Sequence, residues 1–145
     1  ALENIIKRGG IDSEKSYPYQ GDDESCSYNK SNIGAKIKSV VNITRFNMTE
    51  LVNAIGTIGP VSVAIDASDP TFQFYSSGIY TSKICSPDNL DHAVLAIGYG
   101  FTIEKKKYFI IKNSWGMDWG EEGFMYFNRD IDNMCGISTD AVYAL

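Results

Sequence analysis

The sequence predicts an α+β protein: a short helical segment, one amphipathic helix, then mostly antiparallel strands. Three observations predict it. Apolar residues at helical spacing are confined to two stretches, near Leu2 and near Leu51. From Val61 onward the apolar runs are strand-sized and punctuated by Gly, Pro, Asn or charge. No internal repeat and no low-complexity segment interrupts this order.

Leu2, Ile5 and Ile6 stand at i, i+3, i+4. Lys7 and Arg8 suit the C-terminal end of a helix dipole, and Gly9-Gly10 can supply a left-handed cap. The segment reads as the last turns of a helix that starts earlier. Residues 21–34 are polar and rich in Asn, Ser and Asp, a surface loop. Residues 35–46, with Ile37, Val40, Val41 and Ile43, read as strand. Asn47 to Glu50 has capping-box spacing, with Asn in place of the usual Ser or Thr. Leu51, Val52, Ile55 and Ile58 then mark a helix that ends before Gly59-Pro60. Strands are expected at about 61–66, 92–98, 108–113, 123–128 and 137–143.

Length and composition narrow the function classes. The 145 residues, with 43% hydrophobic content and nine tyrosines, suffice for one respectable core. No apolar stretch reaches membrane-spanning length. A net charge of −5 argues against nucleic acid or an anionic membrane as the main partner. The one basic cluster, Lys105-Lys106-Lys107, falls where a hairpin loop is expected and reads as a solvated tip. The chain opens on Ala with no signal pattern, and so reads as a processed product or a partial sequence. With one histidine, three cysteines and no Cys-x-x-Cys, neither a metal site nor a cofactor is expected. Three sequons, at Asn29, Asn42 and Asn47, point to glycosylation and a secretory route.

The chemistry concentrates in His92 and Asn113. His92 opens the run Ala93-Val94-Leu95-Ala96-Ile97, and Asn113 follows Tyr108-Phe109-Ile110-Ile111. Adjacent strands would set the two side by side. An Asn amide oxygen can accept the proton of one imidazole nitrogen and fix the tautomer, leaving the other free to take a proton from a thiol. A lone histidine is more often a satisfied core residue, so the pair needs context. Ser114 beside it is a poor nucleophile candidate, because no Gly-x-Ser-x-Gly elbow is present. Asp91, next to His92 along a strand, should point to the opposite face.

Ordered motifs supply the context. Gly59-Pro60-Val61-Ser62-Val63-Ala64-Ile65-Asp66, Asp91-His92-Ala93-Val94 and Asn113-Ser114-Trp115-Gly116 resemble the papain family of cysteine peptidases, in its cathepsin L-like branch. Ser16-Tyr17-Pro18-Tyr19, Phe72 to Tyr80, Trp119-Gly120 and Cys135-Gly136-Ile137 are similar to further family segments, so the likeness runs from Ala1 to Val142. It implies a two-lobe α+β fold with the active site in the cleft. Residues 1–39 would be a remnant of the helical lobe and 40–145 the β-barrel-like lobe. It implies a cysteine-type endopeptidase with His92 as base and acid, Asn113 as orienter and Trp115 as shield of their hydrogen bond. Trp119 is expected to pack structurally.

In the family the nucleophilic cysteine precedes the His and Asn by about 130–150 residues, which places it roughly 40 residues before Ala1. Cys85 would pair with Cys135, and Cys26 with a cysteine upstream. Ala64, Leu90, Ala93 and Asp140 would line the pocket for the substrate side chain two residues before the scissile bond. Implied partners are protein or peptide substrates, the N-terminal segment of the same protein, and cystatin-like or propeptide inhibitors. The implied compartment is the endolysosomal lumen or the cell exterior. The alternative is a catalytically inactive homologue acting as a binding or scaffold protein; a serine-nucleophile variant is a third form. Presence of His92, Asn113 and Trp115 together favours the enzyme.

Overall fold

The computed structural model describes all residues, 1–145. They fall into two compact units: Ala1–Val41 with Ala144–Leu145, and Asn42–Tyr143. The expected boundary, between residues 39 and 40, lies two residues earlier, and the last two residues group with the first unit.

The first unit opens with α1, Leu2–Arg8, which ends on Gly9 in the left-handed region (φ 84°). The Gly9 N–H donates to the carbonyls of Ile5 and Ile6. Strands β1, Ile11–Asp12, and β2, Ile33–Ala35, pair antiparallel. Between them lies polar loop, then a 3-10 turn at Lys30–Asn32 whose cap, Asn29, accepts from the Ser31 N–H at 2.9 Å. The only buried residue among Ala1–Val41 is Gly10, so this unit has no apolar interior of its own. Strand β3, Val40–Asn42, spans the boundary.

The second unit holds the core. Helix α2, Met48–Thr57, buries Leu51, Ala54 and Ile55. Its cap works as the spacing requires: Asn47 Oδ1 accepts the Glu50 N–H at 3.0 Å. The reciprocal half differs, because Glu50 accepts from the Thr44 N–H and the Asn47 amide instead of the Asn47 backbone. Strands follow as β4, Val61–Ile65; β5, Ile79–Tyr80; β6, His92–Phe101; β7, Lys107–Lys112; β8, Phe124–Asn128; and β9, Ala141–Ala144. A short helix α3, Pro70–Gln73, sits between β4 and β5. Apart from β3, which adds the seventh strand, the sheet order is β9-β4-β6-β7-β8-β5, antiparallel except for the parallel β5–β8 pair.

Period-2 alternation decides which face is core. Val61, Val63 and Ile65 of β4, Val94 and Ala96 of β6, Phe109 and Ile111 of β7, and Met125 and Phe127 of β8 are buried together. Helix α2, Phe72 and Ile137 close this layer. The alternate positions, Ser62, Ala64, Ala93, Leu95 and Lys112, face the other way and are exposed or half-buried.

Two expected strands need correction. Of the segment 35–46, only Ala35, the last residue of β2, and Val40–Asn42, β3, are strand. The last strand starts at Ala141, not near residue 137. Residues before it form a tight turn with positive φ at Asn133, Cys135 and Gly136, and the Asn133 side chain accepts from both the N–H and the hydroxyl of Ser138. An Asn that bonds forward in this way competes with a ladder.

Cys85 and Cys135 are joined by a disulfide across a sequence separation of 50. Closing a loop of that size stabilises by about 4 kcal/mol on the chain-entropy model. Non-reducing peptide mapping should return a Cys85–Cys135 peptide, and Cys85→Ser/Cys135→Ser should lose stability of that order in denaturant titration. A main species linking Cys26 to either cysteine would contradict the pairing.

Candidate active site

His92 is the first residue of β6 and pairs with Ile65, so its ring lies on the core face at the rim of the sheet. Asn113 follows β7 and continues the inward series Phe109, Ile111, Asn113. Its N–H donates to the Gly123 carbonyl at 3.0 Å, which extends the β7–β8 ladder by one rung. Asn113 is only 7% exposed.

The two side chains meet: His92 Nε2 and Asn113 Oδ1 are 2.8 Å apart. A second contact fixes the direction of the bond. The Ser114 N–H donates to the same Oδ1, also at 2.8 Å. A backbone N–H can only donate, so this atom is the amide oxygen and His92 must bring the proton at Nε2. In the neutral ring the lone pair is then on Nδ1. Asn113 Nδ2 is buried without a protein partner.

Aromatic rings wall the pair. Trp115 lies over His92 with centroids 5.0 Å apart at 32°. Phe72 presents edge-on contacts to His92 at 6.0 Å and to Trp115 at 5.4 Å. Trp115 is 43% exposed and so forms the outer wall. Trp119 is buried instead, packed on Phe72 and Tyr75, with its indole N–H donating to the Gln73 carbonyl at 3.1 Å.

The loop that delivers Phe72 is pinned by three carboxylates. Asp66 accepts from the Ser68 and Ser86 N–H groups. Asp69 caps α3 through the Thr71 N–H and accepts from the Ser82 hydroxyl at 2.6 Å. Asp91 accepts from the Ala67 N–H at 2.8 Å, so it braces this loop and does not serve His92. Burial pushes Asp66 up, but its hydrogen bonds from Ser68 and Ser86 outweigh that and hold the carboxyl below its ordinary value. The Ser82 hydroxyl is the main reason Asp69 is also held low.

Of the expected pocket residues, Ala64 pairs with Ala93 across β4–β6, and the Ala64 N–H donates to the Asp140 carbonyl at 2.9 Å. The β4–β9 register runs Ser62 to Val142 and Val63 to Ala141. Ala64, Ala93 and Asp140 therefore share a row on the face opposite the core. Asp140 and Ala93 are exposed, and Leu90 is half-buried against Gly136. A cavity of about 310 Å³ borders Asn113 and is lined also by Ser62, Ala93, Leu95 and Lys112. Another, of about 390 Å³, is lined by Ala67, Ser68, Asp69, Pro70, Gln73 and Trp115.

Asn29 and Asn42 are exposed; the cap at Asn29 uses only its Oδ1, while Asn47 uses both Oδ1 and Nδ2 on Glu50. No group of three or more His, Cys, Asp or Glu is placed to hold a metal ion. No helix is long and apolar enough to cross a membrane.

The family model described as papain family cysteine protease matches residues 1–145. The chain belongs to that family. A cathepsin L-like peptidase of Aedes aegypti is 48% identical over 145 residues, which is all of this chain and 43% of that protein. Procathepsin L of Mus musculus is 47% identical over 99% of this chain and 43% of its own length. The chain thus spans less than half the length of these curated relatives. The solved structure of digestive procathepsin L2 proteinase from Tenebrio molitor larval midgut superposes with a TM-score of 0.92 at 37% identity, covering 99% of this chain and 45% of that one. The bromelain protease of Ananas comosus, in complex with the E64 inhibitor, superposes with a TM-score of 0.88 at 36% identity, over 99% of this chain and 66% of that one. The papain-like α+β fold expected from sequence is therefore the fold observed.

Sequence reasoning gave no role to Phe72, to the Ser114 N–H, or to Asp66 and Asp69. Asp69-Pro70 was a legible signal, a capping Asp followed by Pro at the first helical position. The Ser114 contact is a backbone N–H and has no sequence signature.

Two outcomes follow. The single histidine gives one pair of ring nitrogen signals, and ¹⁵N NMR of the neutral form should place the proton on Nε2; a proton on Nδ1 would contradict the geometry. Asp66 and Asp69, held low when folded, stabilise above the unfolded aspartate pKa of about 3.9, and that stability is lost as pH falls through their lower folded values. The melting midpoint should therefore drop steeply below about pH 4, and Asp69→Asn should flatten that acid limb. An identical limb in the variant would remove Asp69 from the account.

Proposed function

We propose that the protein containing this chain is a cysteine endopeptidase of cathepsin L type, working through a Cys-His-Asn site to which this chain contributes His92 and Asn113. Support comes above all from one observation, the shared Asn113 Oδ1 that orients His92 with Nδ1 unprotonated. None of the cysteines here takes the nucleophile's part in the proposal. Cys85 and Cys135 are bonded to each other, and Cys26 belongs to the first unit. The attacking cysteine is assigned to the part of the family domain outside these residues.

His92 Nδ1 takes the thiol proton, giving a thiolate beside an imidazolium. The thiolate adds to the scissile carbonyl. As the C–N bond breaks, Nδ1 returns its proton to the leaving amine and an acyl-enzyme remains. Water then attacks the thioester, with Nδ1 again as base, and the carboxylic acid leaves as the thiol is restored. Asn113 keeps the ring in plane through each transfer. Trp115 and Phe72 exclude water from the Nε2–H···Oδ1 bond, which strengthens it.

The row of Ala64, Ala93 and Asp140, with Leu90, is assigned to the substrate side chain two residues before the cleaved bond. Its apolar members suit Leu, Val or Phe, and Asp140 adds tolerance for Arg or Lys by a charge-assisted hydrogen bond. The disulfide and the exposed sequon at Asn42 suit an endolysosomal or secreted setting. Protein or peptide substrates and propeptide or cystatin-like inhibitors are the partners that go with this function.

In the full-length protein, hydrolysis of peptide substrates should be blocked by thiol alkylation and abolished by His92→Ala. Asn113→Ala should reduce it less, since Asn113 positions the base without moving the proton. Activity indifferent to alkylation or to His92→Ala would overturn the assignment, and the absence of any hydrolysis would favour a non-enzymatic homologue. Asp140→Ala should lower the Arg/Leu preference at that subsite; an unchanged ratio at every pH would take Asp140 out of the pocket.

A further inference from the structure

The hairpin that joins β6 to β7 carries a feature that the peptidase chemistry does not use. Its loop is closed by the Thr102 N–H to the Lys106 carbonyl at 2.9 Å and the Lys105 N–H to the Thr102 carbonyl at 2.8 Å, with Lys105 at φ 65°. The tip is thus an ordered turn. Yet it presents large apolar side chains to water: Phe101 is 71% exposed and Ile103 is 98% exposed. Folding gains little from either. Lys105 and Lys106 stand beside them and are exposed. The charges facing them are few. Glu104 lies in the same loop, its carboxyl held below its ordinary value chiefly by the Thr102 hydroxyl. The backbone N–H of Lys107 donates to Asp130, and Lys107 shares a cavity wall with Asp130 and Asp132.

We propose that this hairpin tip, with Phe101 and Ile103 as an apolar wedge and Lys105 and Lys106 as its flanking charges, docks the protein on an anionic lipid surface. Two kinds of observation select that partner. The lysines complement lipid phosphate and carboxylate headgroups, each adding roughly fivefold to binding near an anionic bilayer. The apolar pair gains only where the partner offers hydrocarbon, which a hydrated polyanion lacks. The net charge of −5, which argues against an anionic membrane as partner for the surface as a whole, acts weakly at this tip, because charges more than about 8 Å from the contact are screened at physiological salt. The basic run that reads from sequence as a solvated tip becomes, with its exposed apolar neighbours, a two-signal surface anchor. The docking proposal is independent of the peptidase chemistry.

The test is co-sedimentation of the full-length protein with phosphatidylcholine vesicles, with and without 30 mol% (about a third) phosphatidylserine. Binding is expected only with the anionic lipid and should weaken as salt rises. Lys105→Gln/Lys106→Gln should reduce it roughly 30-fold, and Phe101→Ser/Ile103→Ser about tenfold. Near-UV circular dichroism and melting midpoints show that each variant is folded. Failure to sediment with phosphatidylserine vesicles, or sedimentation unaffected by either pair, overturns the proposal. Dependence on the lysines alone, matched by equal binding to heparin fragments, also overturns it and makes the tip a polyanion site.

Discussion

One oxygen atom organises the candidate site. Asn113 Oδ1 accepts from the His92 ring and from the Ser114 N–H, each at 2.8 Å. Without the second donor, the amide could turn over and offer its NH₂ group to the imidazole, reversing the tautomer. The ladder secures the same atom from below. The Asn113 N–H to Gly123 bond and the β6–β7 register place the two residues on one face at one rim. Sheet pairing sets position, the backbone N–H sets orientation, and the rings of Trp115 and Phe72 pack about the imidazole. Each level would be ineffective without the one beneath it.

The loop bearing Phe72 shows how electrostatics serves this arrangement. Its carboxylates are spent on backbone N–H groups of residues 67, 68, 71 and 86, with no Lys or Arg among their hydrogen-bond partners. Hydrogen bonds to the charged form explain why Asp66 stays low despite burial. A carboxylate held by fixed amides is less sensitive to salt than one held by a surface cation, because the donors are short-range and cannot diffuse away. Protonating Asp66 or Asp69 would remove the charge that strengthens these bonds.

Legibility in the sequence followed periodicity. Helix α2 was readable from apolar residues at helical spacing, and strands β4, β6, β7 and β8 from strand-sized apolar runs, with ends carrying Asn47, Gly59-Pro60 or glycine signals. His92 and Asn113 were readable because each stands at the end of such a run. Strands of two residues, β1 and β5, are too short to show a period. The misplaced start of β9 had a similar cause. Ile137 is fully buried and imitates a strand position, but it reaches the core from a turn held by Asn133. The disulfide came only with the family resemblance, since three cysteines admit more than one pairing.

Strand β6 also separates the two surfaces assigned here. His92 is its first residue and Phe101 its last. Nine steps at about 3.3 Å put them on the order of 30 Å apart along the strand, somewhat less for the irregularity between Ala96 and Gly98. That distance exceeds three screening lengths of about 8 Å, so charge at the hairpin tip is not felt at the imidazole. It also exceeds the 5–10 Å to which an apolar wedge enters a lipid interface. With β6 upright on the surface, a protein seated by the tip would hold the His92 rim clear of the headgroups. The same strand that aligns His92 with Asn113 thus keeps the proposed docking tip apart from the candidate site.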